Sequence, residues 1–146
     1  MFVALTLMAV AAPARADDIK VFSSVAMRAV VEELAPRFER DTGHRVVTTF
    51  GLAAALKGRI EAGEGYDLAI LTPAQLDDLI KQGKAAGPRA VIARTGLGLM
   101  VKSGAAKLDV GNVDAFKRTL LAAKSVTYVP AGASGVAFLA TAKQLG

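Results

Sequence analysis

Apolar and polar positions in the first half of the chain repeat in a regular order. The segments Ile19–Phe22, Val46–Phe50 and Asp67–Leu71 are rich in β-branched and other apolar residues, which favours buried strands. After each of them, apolar residues recur three and four positions apart, as they do on one face of a helix. Leu56 and Ile60 share such a face in the second predicted helix. Three β-α units in a row predict a parallel sheet covered by helices.

Local signals in the sequence predict where these helices begin and end. Pro36 lies inside the first helical pattern and is expected to kink or restart the helix, and Gly43 is expected to cap its end. Thr72 is expected to cap the third helix, with Pro73 at its first position. Gln75 would complete a capping box with Thr72.

The second half of the chain carries a weaker pattern. Three further strands are predicted, over 91–93, 97–101 and 125–129. Asn112 is a predicted cap for one helix, and a last helix is predicted from about Gly135 to Leu145.

The domain boundary is predicted from composition. Residues 84–88 form a linker rich in Gly, Ala and Pro. We therefore predict that residues 17–88 form lobe one, with the order βαβαβα. Residues 89–146 are predicted to form hinge strands and part of a second lobe.

The first sixteen residues have the pattern of an export signal. Phe2–Ala12 is an apolar run interrupted only by Thr6, and Pro13–Ala16 contains an A-x-A cleavage motif. The run is too short to span a bilayer comfortably. We predict a signal peptide over 1–16 and a periplasmic location, and the alternative for the same residues is a buried first helix.

Composition narrows the possible partners. The chain has 18 Lys and Arg against 13 Asp and Glu, a formal net charge of +5, and these basic residues are spread without a run. A nucleic-acid interface would need a basic stripe, so we expect no nucleic-acid partner. There is no Cys, which excludes disulfides and thiolate metal sites, and no cluster has metal-ligand spacing. We expect neither a metal nor a cofactor.

Signatures of catalysis are sparse in the sequence. His44 is the only His and falls in a polar turn. Gly132–Gly135 lacks the spacing of a nucleophile elbow, and Gly96–Gly98 lacks the third glycine of a dinucleotide fingerprint. We therefore predict that the protein is not an enzyme. The alternative is a small secreted α/β enzyme with Ser134 as its nucleophile.

The candidate site lies in the loops that follow the strands, because open α/β sheets bind ligands outside the carboxyl ends of their strands. Most of these loops lead into helix N-termini, whose unpaired N–H groups and positive dipole end suit an anion. The candidate ligand-binding residues are Ser23, Ser24, Val25, Gly51, Leu52, Thr72, Ser134, Gly135 and Val136. The alternative for the Ser and Thr residues is a helix cap alone. Arg94 is either an anion-binding charge or an ordinary surface residue.

Several short motifs also follow one another in a specific order. They are Val21–Ser24, Thr48–Gly51, Tyr66–Thr72, Ala93–Gly98 and Gly132–Val136. With these motifs, from about Asp18 to Gly146, the chain resembles the bacterial extracytoplasmic solute-binding proteins of ABC importers, in the group of the molybdate-binding proteins.

The resemblance implies the α/β type II periplasmic-binding-protein fold, with a parallel-sheet lobe one and a cleft that closes by hinge motion. It implies capture of a small molybdate-like oxyanion or a small organic solute, and delivery to an ABC permease in the inner membrane. We expect a monomer. Family members are longer, so the resemblance also implies a C-terminally truncated chain with an incomplete second lobe, and a non-functional remnant is an alternative. Molybdate binders of the family use serine hydroxyls where this chain has Ala26 and Ala53.

Overall fold

The computed structural model describes residues 17–146. The predicted signal peptide over 1–16 lies outside these residues. The strands are β1 (Asp18–Ser24), β2 (Arg45–Gly51) and β3 (Leu68–Ile70). The helices are α1 (Arg28–Thr42), α2 (Ala53–Glu61), α3 (Pro73–Lys81), α4 (Val113–Ala122) and α5 (Ala133–Leu145), and a single 3-10 turn, Val25–Met27, precedes α1.

The three strands form one parallel sheet in the order β2-β1-β3. In this register Phe22 of the central strand lies opposite Thr49 of β2 and Ala69 of β3. Because all three strands run the same way, their carboxyl ends meet at one edge of the sheet, which we call the carboxyl edge. The parallel α/β class predicted from the sequence is confirmed.

The core lies on the face of the sheet that α2 and α3 cover. Phe22, Leu56, Ile60 and Leu79 are each at most 3% exposed and pack together. Leu56 and Ile60 meet Phe22 because residues four apart lie on one face of a helix, as their spacing predicts. The ring of Tyr66 stacks on Phe22 with 5.9 Å between centroids and closes the core on one side.

Helix α1 packs more loosely, against β2, and has no buried residue. Its end is tied to the sheet by Val46 N, which donates a hydrogen bond to Glu39 Oε1 at 2.7 Å. Gly43 ends the helix with φ 76°, as predicted. The expected restart at Pro36 does not occur, since α1 is continuous through this residue. Pro36 is exposed, so the carbonyl that it leaves unpaired can bond to water.

The second half of the chain differs from the prediction. Residues 91–93, 97–101 and 125–129 are not strands, and among residues 17–146 no strand pairs with them. Val91 is 56% exposed and Met100 is 97% exposed. An apolar, β-branched run favours a strand only where a neighbouring strand completes its hydrogen bonds, and none of the described residues provides one for these segments. α4 and α5 do form, and Asn112 Oδ1 caps α4 by accepting from Ala115 N at 2.9 Å, as predicted.

Within the described part of the chain, no helix has the length and apolar character that crossing a membrane requires.

An ionic cluster joins α2 to α3. Lys57 Nζ lies 2.5 Å from Glu61 Oε1 and 2.7 Å from Asp78 Oδ2. Gln82 Nε2 donates to Glu61 Oε1 at 2.8 Å. Hydrogen bonds from Lys57 are the largest cause that lowers the pKa of both carboxyl groups. The cluster therefore links stability to pH.

Replacing the most deeply buried core side chain tests the packing. Leu79 is 0% exposed, so Leu79→Ala removes apolar contacts and leaves a cavity. We expect a loss of ~2–5 kcal/mol in the free energy of unfolding, measured by urea denaturation. Leu121→Ala is the matched control, because Leu121 is 77% exposed and should change stability by less than ~0.5 kcal/mol. Equal effects of the two substitutions would show that the core is wrongly placed.

The Lys57 cluster predicts a specific acid response. A carboxyl group whose pKa is lowered by folding stabilises the folded state above its unfolded pKa of ~4, and this contribution is lost as pH falls through the lower folded value. Lys57→Met should therefore flatten the fall in urea midpoint below about pH 5. Lys124→Met, which removes a lysine outside the cluster, should keep the wild-type profile. Identical profiles for all three proteins would contradict the linkage.

Candidate functional site

Two serines end the central strand at the carboxyl edge. Ser23 is 0% exposed and Ser24 is 8% exposed. Ser23 Oγ donates to Ser24 O at 3.3 Å, so its hydroxyl is used within the protein. Ser24 Oγ accepts from Ala26 N at 3.4 Å and caps the 3-10 turn, and it donates to no group in residues 17–146. Ser24 can therefore cap the turn and still donate its proton to a ligand.

The end of β2 offers backbone groups rather than hydroxyls. A Cβ on Gly51 would lie 3.1 Å from Leu56 Cγ, so this position keeps the strand end close to α2. Leu52 precedes α2 without a side-chain cap and is 37% exposed. Ala53 is only 4% exposed. The first N–H groups of α2 thus lack a capping side chain.

The end of β3 carries Thr72 and the start of α3. Pro73 occupies the first turn of the helix, as predicted. The predicted capping box is absent, because Thr72 Oγ1 donates to Gln75 Oε1 at 2.5 Å and accepts no backbone N–H. The two side chains satisfy each other. Pro73 has no N–H, and the carbonyl of Thr72, not its side chain, accepts from Gln75 N at 3.1 Å.

The remaining predicted residues lie at the start of α5. Ser134 and Val136 are exposed, whereas Gly135 is buried. A Cβ on Gly135 would lie 1.9 Å from Val129 O and 3.1 Å from Pro130 Cα. The backbone at 129–130 therefore lies directly on the first turn of α5, and only glycine fits there.

A cavity of about 210 Å³ lies where the ends of β1 and β3 meet the segment 89–95 and the start of α5. Ser24 and Thr72 line it together with Ala26 and Ala133. The other predicted site residues do not line it. Gly51 and Leu52 lie at the next strand end along the edge, and Ser134, Gly135 and Val136 follow Ala133 in α5.

Two arginines near this edge were missed by the sequence analysis. Arg89 lines the cavity, and its Nε donates to Asp77 Oδ1 at 2.6 Å, which lowers the pKa of that carboxyl group. Arg28 lies over the ring of Phe50, near the end of β2. Arg94, which the sequence singled out, is exposed and does not line the cavity. Arg28 lies in an amphipathic helix, where an arginine is typical of a solvated face.

A larger groove of about 790 Å³ runs along the outer edge of β3. Leu68, Ile80 and Ile92 are among the apolar residues that line it. In the described residues no strand pairs with this edge of β3, so the groove marks an uncovered sheet edge rather than a set of convergent polar groups.

His44 lies at the opposite end of the sheet. Its Nδ1 accepts a hydrogen bond from Asp17 N at 3.4 Å. The length of the adjoining strand separates it from Ser24 by ~20 Å, so it cannot act at the carboxyl edge. Among residues 17–146 no group of three His, Cys, Asp or Glu side chains could hold a metal ion.

Comparisons with known proteins bear on this site. A family described as bacterial extracellular solute-binding protein matches residues 19–146. An aconitate isomerase from Pseudomonas sp is 32% identical over 124 residues, which cover 81% of this chain and 47% of the relative. The molybdate-binding protein ModA from Azotobacter vinelandii is 30% identical over 147 positions, which cover 96% of this chain and 57% of that protein. The chain thus spans about half the length of the curated relatives it matches.

The first of these relatives overturns one expectation. We predicted from the sparse catalytic signatures that the protein is not an enzyme, and that prediction is wrong, since a protein 32% identical to it is named an isomerase. The motifs that we tested belong to nucleophilic hydrolases and to dinucleotide-dependent enzymes, so their absence says nothing about other chemistry.

A methyl group at Gly135 tests the packing beside the cavity. Gly135→Ala would force the 129–130 backbone away from α5, and we expect a loss of ~1–3 kcal/mol in the free energy of unfolding, measured by urea denaturation. Gly58→Ala is the matched control, because Gly58 lies within α2 with nothing in 4 Å of its Cβ position. That control should stabilise by up to ~1 kcal/mol. Stabilisation by both substitutions would contradict the close approach at Gly135.

Proposed function

Because this chain belongs to the family of bacterial extracellular solute-binding proteins, we propose that it captures a small solute at the carboxyl edge of its sheet. Membership of this family supports a solute-binding role. The observation that carries the choice of site is the 210 Å³ cavity, where Ser24, Thr72 and Ala133 come together from three parts of the chain. Its volume is below the ~300–1,000 Å³ of pockets for drug-sized ligands, so it has room only for a smaller solute.

The chemistry of the edge favours an anion. α3 and α5 both begin beside the cavity, and neither has a side-chain cap on its first N–H groups. Pro73 has no N–H and Gln75 N donates to Thr72 O, so the start of α5 offers more free N–H groups to an anion than the start of α3. Ser24 adds a hydroxyl donor, whereas the charge of Arg89 in the wall is already matched by Asp77. A molybdate-like oxyanion and a small organic acid both fit this description.

The capture step would use the two parts of the chain as lobes. Residues 17–88 would form the first lobe and residues 89–146 part of the second, with hinge closure over the solute. The family description as extracellular supports export, with residues 1–16 as the signal, and a periplasmic location. In the corresponding transport step, the protein acts as a monomer and delivers the captured solute to an ABC permease.

A second candidate function is chemical conversion of the captured solute. The name of the Pseudomonas relative, aconitate isomerase, favours it. Aconitate is a small organic acid with several carboxylates, so binding an anion at the carboxyl edge would be the first step of such a reaction too. The two candidates therefore share a site and differ in the fate of the bound solute.

The test uses the full chain and a panel of solutes. Molybdate, sulfate, citrate, aconitate, glucose and glycine are each added, and thermal unfolding is followed. A true ligand at a hundredfold excess over its Kd should stabilise by ~2.7 kcal/mol. Nuclear magnetic resonance of the bound solute then reports whether it is converted, which would support the second candidate.

Two substitutions on α5 locate the site. Ala133 lines the cavity and Ala137 is exposed one turn further along the helix. Ala133→Trp should fill the cavity and abolish the shift, whereas Ala137→Trp should leave it unchanged. Absence of any shift in the wild-type protein overturns the capture proposal, and equal binding by both variants moves the site elsewhere.

A further inference from the structure

The arginines of the described residues differ in how fully their donors are used. Three of them make two-pronged ion pairs with a carboxylate. These are Arg45 with Asp18, Arg59 with Glu64, and Arg89 with Asp77. A guanidinium in such a pair has its charge matched by a protein anion and is a poor receptor for a second one.

Arg28 is paired differently. Its Nη1 makes a single hydrogen bond, of 3.1 Å, to Glu32 Oε1. Its other N–H groups have no acceptor within residues 17–146. Half of its side chain is exposed, at 50%. Since a guanidinium carries five N–H donors, most of the donors of Arg28 are available to a ligand.

The ring of Phe50 fixes this charge in place. The guanidinium carbon lies 4.1 Å from the ring centroid, which is close enough for a cation–π contact. Phe50 is the last residue but one of β2, and its partner in the neighbouring strand is Ser23. Arg28 is therefore held at the carboxyl edge, one strand away from the serines of β1.

The distance between Arg28 and the cavity limits the shape of a ligand that uses both. Arg28 lies over the end of β2, and the cavity lies over the ends of β1 and β3. Neighbouring strands are ~4.8 Å apart, so the donor groups at Arg28 and in the cavity are separated by ~5–10 Å. A compact oxyanion that accepts hydrogen bonds of ~2.9 Å on both sides bridges only the shorter separations in this range. A short carbon chain with two or three carboxylates bridges the whole range.

We propose that the solute is a short-chain polycarboxylate and that Arg28 binds one of its carboxylates. The remaining groups of the solute occupy the cavity beside Ser24 and Thr72. Glu32 competes with the solute for Arg28 and weakens binding. This inference rests on the proposed capture function, and it adds the ligand class and the residue that selects it.

The first test removes the charge and compares it with a matched pair on the same helix. Arg37 makes the same single bond, of 3.3 Å, to a glutamate four residues away, Glu33, but lies toward the other end of α1. With citrate as the probe in isothermal titration calorimetry, Arg28→Gln should weaken binding ~ten- to a hundredfold, as expected for a lost charged hydrogen bond. Arg37→Gln should leave the affinity unchanged.

The second test predicts a change of opposite sign, which misfolding cannot mimic. Glu32→Gln removes the competing anion and should tighten citrate binding. Glu33→Gln is its control and should have no effect. Arg28→Lys, which keeps the charge but loses the planar fork, should bind citrate more tightly than Arg28→Gln and more weakly than the wild type.

The outcomes separate this inference from the capture function. If citrate binds equally to wild type and Arg28→Gln, or if molybdate binds and no polycarboxylate does, the inference is overturned and the capture function stands. If no solute binds the wild-type protein, both are overturned. Weaker citrate binding by Arg28→Gln together with tighter binding by Glu32→Gln supports the inference.

Discussion

Burial of one face of the central strand is the constraint on which the rest of the structure depends. Phe22 projects from β1 into the space between α2 and α3, where Leu56, Ile60 and Leu79 enclose it. Burial of this kind is the main force that holds helices on a sheet. It fixes β1 between β2 and β3, because α2 must cross the face of β1 to reach the far side. The position of every strand end follows from that crossing.

The candidate site is a consequence of this order. A parallel sheet gathers the ends of its strands at one edge, so Ser24 and Thr72 meet although they are far apart in sequence. The second half of the chain reaches the same edge without pairing to the sheet. The part of the cavity wall that this half forms depends on close packing of irregular backbone. One example is Val129 O, which lies against Gly135. The two walls of the cavity are therefore held by different kinds of interaction.

Whether an element depends on its own local sequence or on a distant partner explains which parts of the fold could be predicted. The β1, β2 and β3 segments, the cap at Asn112 and the end of α1 at Gly43 each depend on local pattern, and they were predicted correctly. The strands expected at 91–93, 97–101 and 125–129 failed because a strand needs a partner that its own sequence does not specify.

Within the site, local sequence signals predicted the positions of the residues correctly but not the hydrogen bonds that their side chains make. Thr72 stands at the start of α3 as expected, yet its proton goes to Gln75. Arg28 and Arg89 were missed because their roles depend on Phe50 and Asp77, which are distant in sequence. The sequence does not distinguish these two arginines from an exposed arginine that makes no such contact, such as Arg94.

Capture and conversion of a carboxylate place different demands on the carboxyl edge. Capture needs fixed positive charge and donors, which Arg28, Ser24 and the helix starts supply. Conversion by proton transfer needs in addition a group that takes up and returns a proton. A guanidinium is always charged and can only hold the solute. The carboxylate bonded to Arg28 is Glu32, so a solute held by Arg28 would lie beside an anion that competes for the same charge. Fixed charge and hydrogen-bond donors are therefore enough for capture, whereas proton transfer would need a further group.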